Sequence, residues 1–466
     1  MKRTAHGYWL EEMPAVETLP VAEGSLDCDV LVAGGGYTGL WTAWRLAEVE
    51  PEARVVVIEA DRCGHGPSGR NGGFTNEMWF GMASMRDRYG DAAALAIARA
   101  AADSVEAIGR FCAEQEVDAW FRRAGYLQVS AAPAQDGVWE PAVRTCRELG
   151  ESDAVRELSP AEVAERCRSP RFRGGAFYPG AATVQPARLA LGLRDRVAAR
   201  ERVQAYDRSP LRHLRAGPWG CVAETPGARI RARSCVLALG SALAGPRSPL
   251  RARLTVTSSH MVLTEPVPDL LEEIGWTGGE CITDGRAMLH YFRTTPDGRI
   301  AFGWGGGRIA YGARLHGRTE EDPALNEQVA AHLRSFFPAL EGRRITHAWG
   351  GPIDVSPSHM PMAVPIGDDR VFAACGYTGN GVGPSHLLGR VLASLALDRR
   401  DEYSSLALVE PDPARVPTGL AGWLGGNAIR AGLLAKEAAE EEERVASAVH
   451  RGLARIPELI GLHIGR

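Results

Sequence analysis

The stretch Cys28-Asp-Val-Leu-Val-Ala33-Gly34-Gly-Gly36-Tyr-Thr-Gly39-Leu-Trp-Thr-Ala43-Trp44 decides the fold. Its first six residues are a short apolar run cut off by glycines, the pattern of a buried strand. From Tyr37 to Glu48, Leu40, Ala43, Trp44 and Ala47 return at helical spacing. Arg54-Val-Val-Val-Ile58 is a second buried strand, so strand, glycine turn, helix and strand follow within about 32 residues, the size of a parallel crossover. Gly34-Gly-Gly36-Tyr-Thr-Gly39 fits G-x-G-x-x-G, which is weak alone in a chain with 54 glycines. Here it lies between strand and helix, and Glu59 closes the next strand 20 residues after Gly39. Gly34 permits the tight turn, Gly36 lets the backbone approach a pyrophosphate, and Gly39 allows close helix–strand contact. The helix start at Tyr37 and Thr38 offers N–H groups and a partial positive charge. Glu59 suits the ribose hydroxyls of adenosine and disfavours a 2′-phosphate, which argues against NADP. FAD and NAD both stay open on these residues.

Further out, Leu95, Ala98, Ala102, Val105, Ile108 and Cys112 predict an amphipathic helix over 91–115. Ser159-Pro-Ala-Glu162 reads as a capping box, and helices are expected over 188–199, 326–337 and 386–397. Arg233–Leu239 and Arg370–Ala374 read as buried strands. Residues 253–312 read as a β-meander with a Pro296-Asp-Gly298 turn. Residues 1–26 read as a leader laid over the surface. From about 405 a tail begins with Pro411, Pro413 and Pro417, and Val445, Val449, Leu453, Ile456 and Ile460 fall on one helical face within it. That face packs on the body of the protein or docks on a partner or membrane surface.

Composition narrows the function. Of 466 residues, 53 are Lys or Arg and 57 Asp or Glu, a net charge of −4 that argues against nucleic acid as partner. Only Lys2 and Lys436 are lysines. Nine scattered cysteines without Cys-x-x-Cys pairs predict neither disulfides nor zinc, and no metal site is expected. His65, His260, His359 and His386 lack metal-ligand spacing. No apolar stretch reaches membrane-spanning length and no signal-peptide pattern follows Lys2-Arg3, so a cytoplasmic protein with little membrane contact is expected.

Glu59 is followed by Ala60-Asp-Arg62-Cys-Gly64-His-Gly66-Pro-Ser68-Gly-Arg70-Asn71-Gly72-Gly73. This segment resembles the D-amino acid oxidase/glycine oxidase superfamily of FAD enzymes, in the branch near gamma-glutamylputrescine oxidase and sarcosine oxidase. Tyr8-Trp-Leu10, Ala182–Arg188, Val236–Gly240, Tyr291–Gly298 and Gly376–Val382 fall, in order, where that family has comparable segments, and the resemblance spans about 400 residues. The resemblance implies an α/β protein: a Rossmann-like FAD-binding domain of glutathione-reductase type, a discontinuous antiparallel-sheet substrate domain and a helical tail. The expected division is a leader over 1–26, FAD-binding parts over 27–80, 183–246 and 346–404, substrate parts over 81–182 and 247–345, and a tail over 405–466.

By that resemblance, Ser68, Arg70, Asn71, Gly72 and Gly73 run along the flavin, and Gly379, Asn380, Gly381 and Val382 face its pyrimidine side. Ala60, Arg62, Val203 and Gly240 complete the expected cofactor contacts. Arg70 alternatively makes an ion pair that holds its loop. Substrate is implied beside the flavin, near Tyr291, Arg293, Trp304 and Arg308, where an arginine pairs with a carboxylate or phosphonate. Tyr291, Trp304 and Arg308 are the catalytic candidates, and Tyr291 and Arg293 the substrate-binding ones. Each arginine is equally an ordinary sheet residue, and each aromatic equally a core residue. The implied reaction oxidises the C–N bond of a small amine or amino acid by hydride transfer to flavin N5, and the imine hydrolyses to a carbonyl.

The His347–Pro357 segment has no cysteine where sarcosine-oxidase relatives attach flavin, so FAD is expected to be non-covalent. The lysine those relatives place above the flavin is also missing from 300–310, leaving Arg308 or His260 to supply positive charge. The electron acceptor is therefore molecular oxygen or another acceptor. A 2-hydroxy-acid oxidoreductase and a non-catalytic flavin-binding subunit are the competing readings, and the oligomeric state is open.

Overall fold

The computed structural model describes residues 1–4, 6–409 and 413–462. Pro411, expected to open the tail, lies outside them. The fingerprint strand Gly24–Ala33 stands near the middle of an eight-stranded sheet, between Val55–Ile58 and Ala228–Leu237. Both neighbours are parallel to it, with Val32 opposite Val57 on one side and Val236 on the other. Val203–Tyr206 extends the sheet beyond Val55–Ile58, and Asp368–Cys375 pairs in parallel with Cys235–Leu237. These strands therefore share one carboxyl end, where loops converge to form a crevice.

Close helix packing sets what faces that crevice. The fingerprint helix Tyr37–Val49 is buried on nearly all sides, with Trp41 and Trp44 edge-on to Phe111. Phe111 belongs to the helix Asp91–Glu114, as the apolar spacing predicts. The helix Val382–Ala396 also lies on the fingerprint helix; a Cβ on Gly389 would meet Trp41 Cβ at 2.7 Å. Small residues at this contact let two helix N-termini reach the same crevice.

The second sheet has nine strands. Cys281–Asp284, His290–Thr294 and Ile300–Trp304 form a meander, and Thr255–Thr264 pairs beyond it. Two departures from the expected antiparallel sheet occur. Cys281–Asp284 runs parallel to Tyr126–Val129, and Lys2–Arg3 runs parallel to His347–Ala348. The strand Ile345–Val355 pairs along Thr255–Thr264 in this sheet, so the chain leaves it after Val355 rather than at 345.

The leader is more than a surface strap. Besides its edge strand, it buries Trp9 completely, and Asp207 Oδ2 accepts a hydrogen bond from Leu19 N at 2.9 Å. Ser159 and Glu162 make the expected capping box. The tail is a hairpin of two helices, Gly419–Glu441 and Ala448–Leu459. Its expected apolar face is split: Leu453 and Ile456 are half-buried, whereas Val445, Val449 and Ile460 are exposed. Val445 lies in the turn before the second helix, so helical phase does not carry through it. Among the described residues, no helix is long and apolar enough to cross a membrane.

Candidate active site

One cavity of about 880 Å³ runs from the carboxyl end of the parallel strands to the floor of the second sheet. At its first end, Gly34, Gly36, Tyr37 and Thr38 line the wall, followed by Glu59 and Ala60. Gly34 has φ +113°, and a Cβ there would meet Ala238 O at 2.2 Å. Gly39 lies just behind the wall, where a Cβ would meet Gly34 O at 1.9 Å, so it serves helix–strand contact as its spacing implies. Glu59 accepts Gly35 N at 2.7 Å and Asp61 N at 3.1 Å, which fixes its carboxylate at the mouth of the turn. Tyr37 N donates to Ser68 Oγ at 2.8 Å, tying the helix start to the Ser68–Gly73 loop.

The expected loop lies along this wall, with Ser68, Arg70, Asn71 and Gly72 lining it. Its side chains mostly hold the loop itself. Asn71 Oδ1 accepts Gly73 N, and its amide donates to the Pro67 and Ser68 carbonyls. Arg70 Nη1 donates to Glu320 Oε1 at 2.8 Å, the ion-pair alternative raised above. Two tryptophans pin the loop from behind: Trp9 Nε1 donates to Asn71 O at 2.9 Å, and Trp349 Nε1 to Arg70 O at 2.8 Å. Trp9 comes from the leader, which sequence reading left outside the site.

Opposite stand Gly379, Asn380, Gly381 and Val382, with the helix Val382–Ala396 starting behind them without a side-chain cap. Below them Asp354 is buried, accepts Gly376 N at 2.5 Å, and is pushed up to about 6 by burial. Gly240 lines the cavity after the second nucleotide-side strand.

Four expected cofactor residues lie off the wall. Arg62 is exposed and does not line the cavity. Gly73 sits behind the loop with φ +73°, where a Cβ would meet Val184 O at 2.1 Å. Val203 opens its strand and pairs with Val55, three residues before the carboxyl end at Tyr206 where the crevice begins. Gly39, as described, supports from behind.

At the far end the floor carries Tyr291, Ser259, Met261 and Phe74. Tyr291 and Ser259 hydroxyls are 2.7 Å apart. The Tyr291 ring fills the space over two glycines, since Cβ atoms on Gly72 and Gly303 would meet it at 3.0 and 2.1 Å. Burial pushes the Tyr291 hydroxyl up to about 12, so it keeps its proton at ordinary pH.

The other expected substrate-side residues do not line the cavity. Arg293 is buried and donates to the carbonyls of Val184, Gly73 and Thr294, which anchors the end of the Ser68–Gly73 loop. Trp304 points to the opposite face of the sheet and packs edge-on to His332 at 5.0 Å. Arg308 ion-pairs with Asp322. His260 is buried between Asn326 Oδ1 and Ser258 Oγ, both 3.2 Å away. Burial lowers it to about 4, so it is neutral and supplies no charge. Lys2 and Lys436 are paired with Glu11 and Glu440, away from the cavity.

The part of the site missed in the sequence is the tail. Gly426, Ile429 and Arg430 line the cavity from the helix Gly419–Glu441. That helix meets the loops after the floor strands, and its Gly425-Gly426 beside Trp423 was the available signal.

These residues fit FAD. Two helix N-termini, an acid at the second strand end and a long crevice continuous with an aromatic floor suit a dinucleotide carrying a flat ring. Comparisons agree. The sequence model of a family described as FAD dependent oxidoreductase, DAO, matches residues 29–395. The chain is 29% identical over 392 residues to gamma-glutamylputrescine oxidoreductase of Escherichia coli, covering 82% of this chain and 87% of that protein. It is 28% identical over 414 residues to the probable oxidoreductase OrdL of Rhizobium meliloti, covering 86% and 90%. In fold it is similar to glycine oxidase from Geobacillus kaustophilus, with a TM-score of 0.67 at 18% identity over 83% of this chain and 99% of that one.

Proposed function

The chain belongs to the DAO family of FAD-dependent oxidoreductases, which oxidise amines and amino acids, and on that premise we propose that it oxidises the C–N bond of a small amine or amino acid to an imine that water hydrolyses to a carbonyl compound. The observation that carries this reading is the continuity of the dinucleotide cradle with the Tyr291–Ser259 floor in one cavity. FAD, when bound, supplies the two-electron acceptor for the C–H beside the amine nitrogen. Gly34, Gly36 and Glu59 hold its adenosine diphosphate half, and the Ser68–Gly72 and Gly379–Val382 loops hold its ring. The start of the helix Val382–Ala396 offers N–H donors and a positive dipole end to negative charge that develops there.

The chain's remaining work is positioning. Tyr291, locked to Ser259, presents an aromatic face and a hydroxyl that keeps its proton. It orients substrate without acting as base. The amine must be neutral to release its hydride, so turnover rises with pH as the amine loses its proton. The nine cysteines are buried and none lines the cavity, which supports FAD held without a covalent link. The acceptor is oxygen or another oxidant, without lysine assistance at the site.

The test is anaerobic mixing of the holoenzyme with amines, amino acids, polyamines and aminophosphonates while flavin absorbance is followed. Bleaching by an amine, with a carbonyl product after air is admitted, is expected. Bleaching by 2-hydroxy acids alone overturns the reading. Peroxide formation against dye reduction identifies the acceptor, and yellow colour left on acid-precipitated protein refutes a dissociable flavin.

A further inference from the structure

The tail helix Gly419–Glu441 makes three contacts at a spacing of seven residues. Trp423 Nε1 donates to Ile309 O at 3.1 Å, Arg430 to the carbonyls of Gly306 and Gly307, and Glu437 accepts Met288 N at 3.1 Å. Seven residues are two helical turns, so the three side chains form one stripe. Every partner is backbone in the two loops that border the cavity, 287–289 and 305–309. Contact is close, because a Cβ on Gly426 would meet Ile309 Cδ1 at 2.7 Å. The stripe is thus fitted to the chamber.

Its middle member carries unbalanced charge. Among the described residues, two arginines line the cavity. Arg70 is neutralised by Glu320, whereas Arg430 has no carboxylate partner among the described residues. The Gly306 and Gly307 carbonyls engage Nε and Nη2 of Arg430, leaving Nη1 without a protein partner among the described residues. The side chain is half-buried, and the charges it feels, Arg308 and Asp322, are already paired with each other, so it has given up part of its hydration without gaining an ion-pair partner of its own. Its guanidinium plane is already fixed, so little further entropy is lost when an anion binds.

We propose that this helix is a wall of the reaction chamber and that Arg430 binds a carboxylate carried by the amine substrate. The assignment rests on the amine-oxidation reading and narrows it to amines that bear an acid group. It also moves anion recognition from the sheet, where Arg293 and Arg308 are already satisfied, to a helix outside residues 29–395 of the family match.

The experiment titrates the FAD holoenzyme with acetate, propionate and benzoate, and in parallel with acetamide, propionamide and benzamide, following the flavin spectrum. Saturable perturbation by the carboxylates is expected. Arg430→Met weakens the carboxylates about tenfold or more, the size of one lost charge-assisted contact, and leaves the amides unchanged. Arg430→Lys restores part of the loss. Equal weakening of acids and amides means that Arg430 only ties down the Gly306–Gly307 loop, and overturns the proposal. So does unchanged carboxylate binding in Arg430→Met, or no saturable response to any carboxylate in the unmodified protein. The titration involves no turnover, so it fails independently of the amine screen.

Discussion

The two ends of the cavity are built from different materials. The dinucleotide cradle is mostly backbone: a left-handed glycine, two helix N-termini and a loop whose own side chains fasten it in place. The substrate end is mostly side chain, gathered from the floor strands, the loops after them and a helix more than a hundred residues later. Backbone construction is intolerant and local, since an added methyl has nowhere to go. Side-chain construction tolerates exchange and so is where relatives sharing the cradle can diverge in what they oxidise.

The contrast breaks first at Gly39. Gly39→Val places side-chain atoms where Gly34 O already stands, and overpacking at the turn is expected to cost about 3 kcal/mol or more and give colourless protein. The ratio of flavin to protein absorbance after purification measures it; full FAD content in that variant removes the distinction. Next comes Arg293, which sits at the substrate end yet serves the cradle. Arg293→Met strands the Val184 and Gly73 carbonyls and is expected to lower unfolding free energy by about 2–3 kcal/mol, read by denaturant titration. KM for the best amine stays within about twofold, because uniform binding is untouched. A large KM rise at unchanged stability would return Arg293 to the substrate.

Tyr291→Phe removes the bond to Ser259 and should slow turnover about fivefold, roughly 1 kcal/mol. The rise of turnover with pH stays in place, since a hydroxyl held up near 12 does not titrate there. A shifted rise would make Tyr291 the titrating group. The smallest effect concerns Glu437, pushed up to about 7 by burial. Its folded value lies above an ordinary carboxylate's, so the folded chain holds this proton more tightly than the unfolded one. The associated stability is present at low pH and lost as pH rises through 7. Glu437→Gln keeps the acceptor for Met288 N and removes the titration. It should therefore gain on the unmodified protein by roughly 1 kcal/mol between pH 6.5 and 8, measured by thermal unfolding at each pH.

The same contrast explains what could be read from the chain. Gly34, Gly36, Gly39 and Glu59 announce themselves because a phosphate-binding turn is local and its steric demands leave few alternatives. The helices 91–115 and 386–397 were legible from apolar spacing, to within a few residues at their ends. Arg308 and Arg293 were plausible for the substrate because they lie on the right strands, but position on a strand does not fix what a side chain meets. Asp322 caps the start of the helix Pro323–Phe336, fourteen residues beyond Arg308, and the Val184 and Gly73 carbonyls on Arg293 come from two remote loops. In a chain where arginine is nearly the sole cation, residue type carries little information. Arg430 was obscured for the same reason. Its signal was periodicity, Trp423, Arg430 and Glu437 at equal steps, whereas the more visible apolar row from Val445 to Ile460 crosses a turn and is half exposed.

The seven-residue stripe also has a consequence in time. Synthesis proceeds from the amino end, so the loops that cradle the dinucleotide leave the ribosome before the helix that reaches Ile309, Gly307 and Met288. A nascent chain that has just passed residue 395 holds every segment of the matched family region but not yet the Arg430 wall. On the role proposed for Arg430, the cradle segments are therefore synthesised before the wall that would select the substrate.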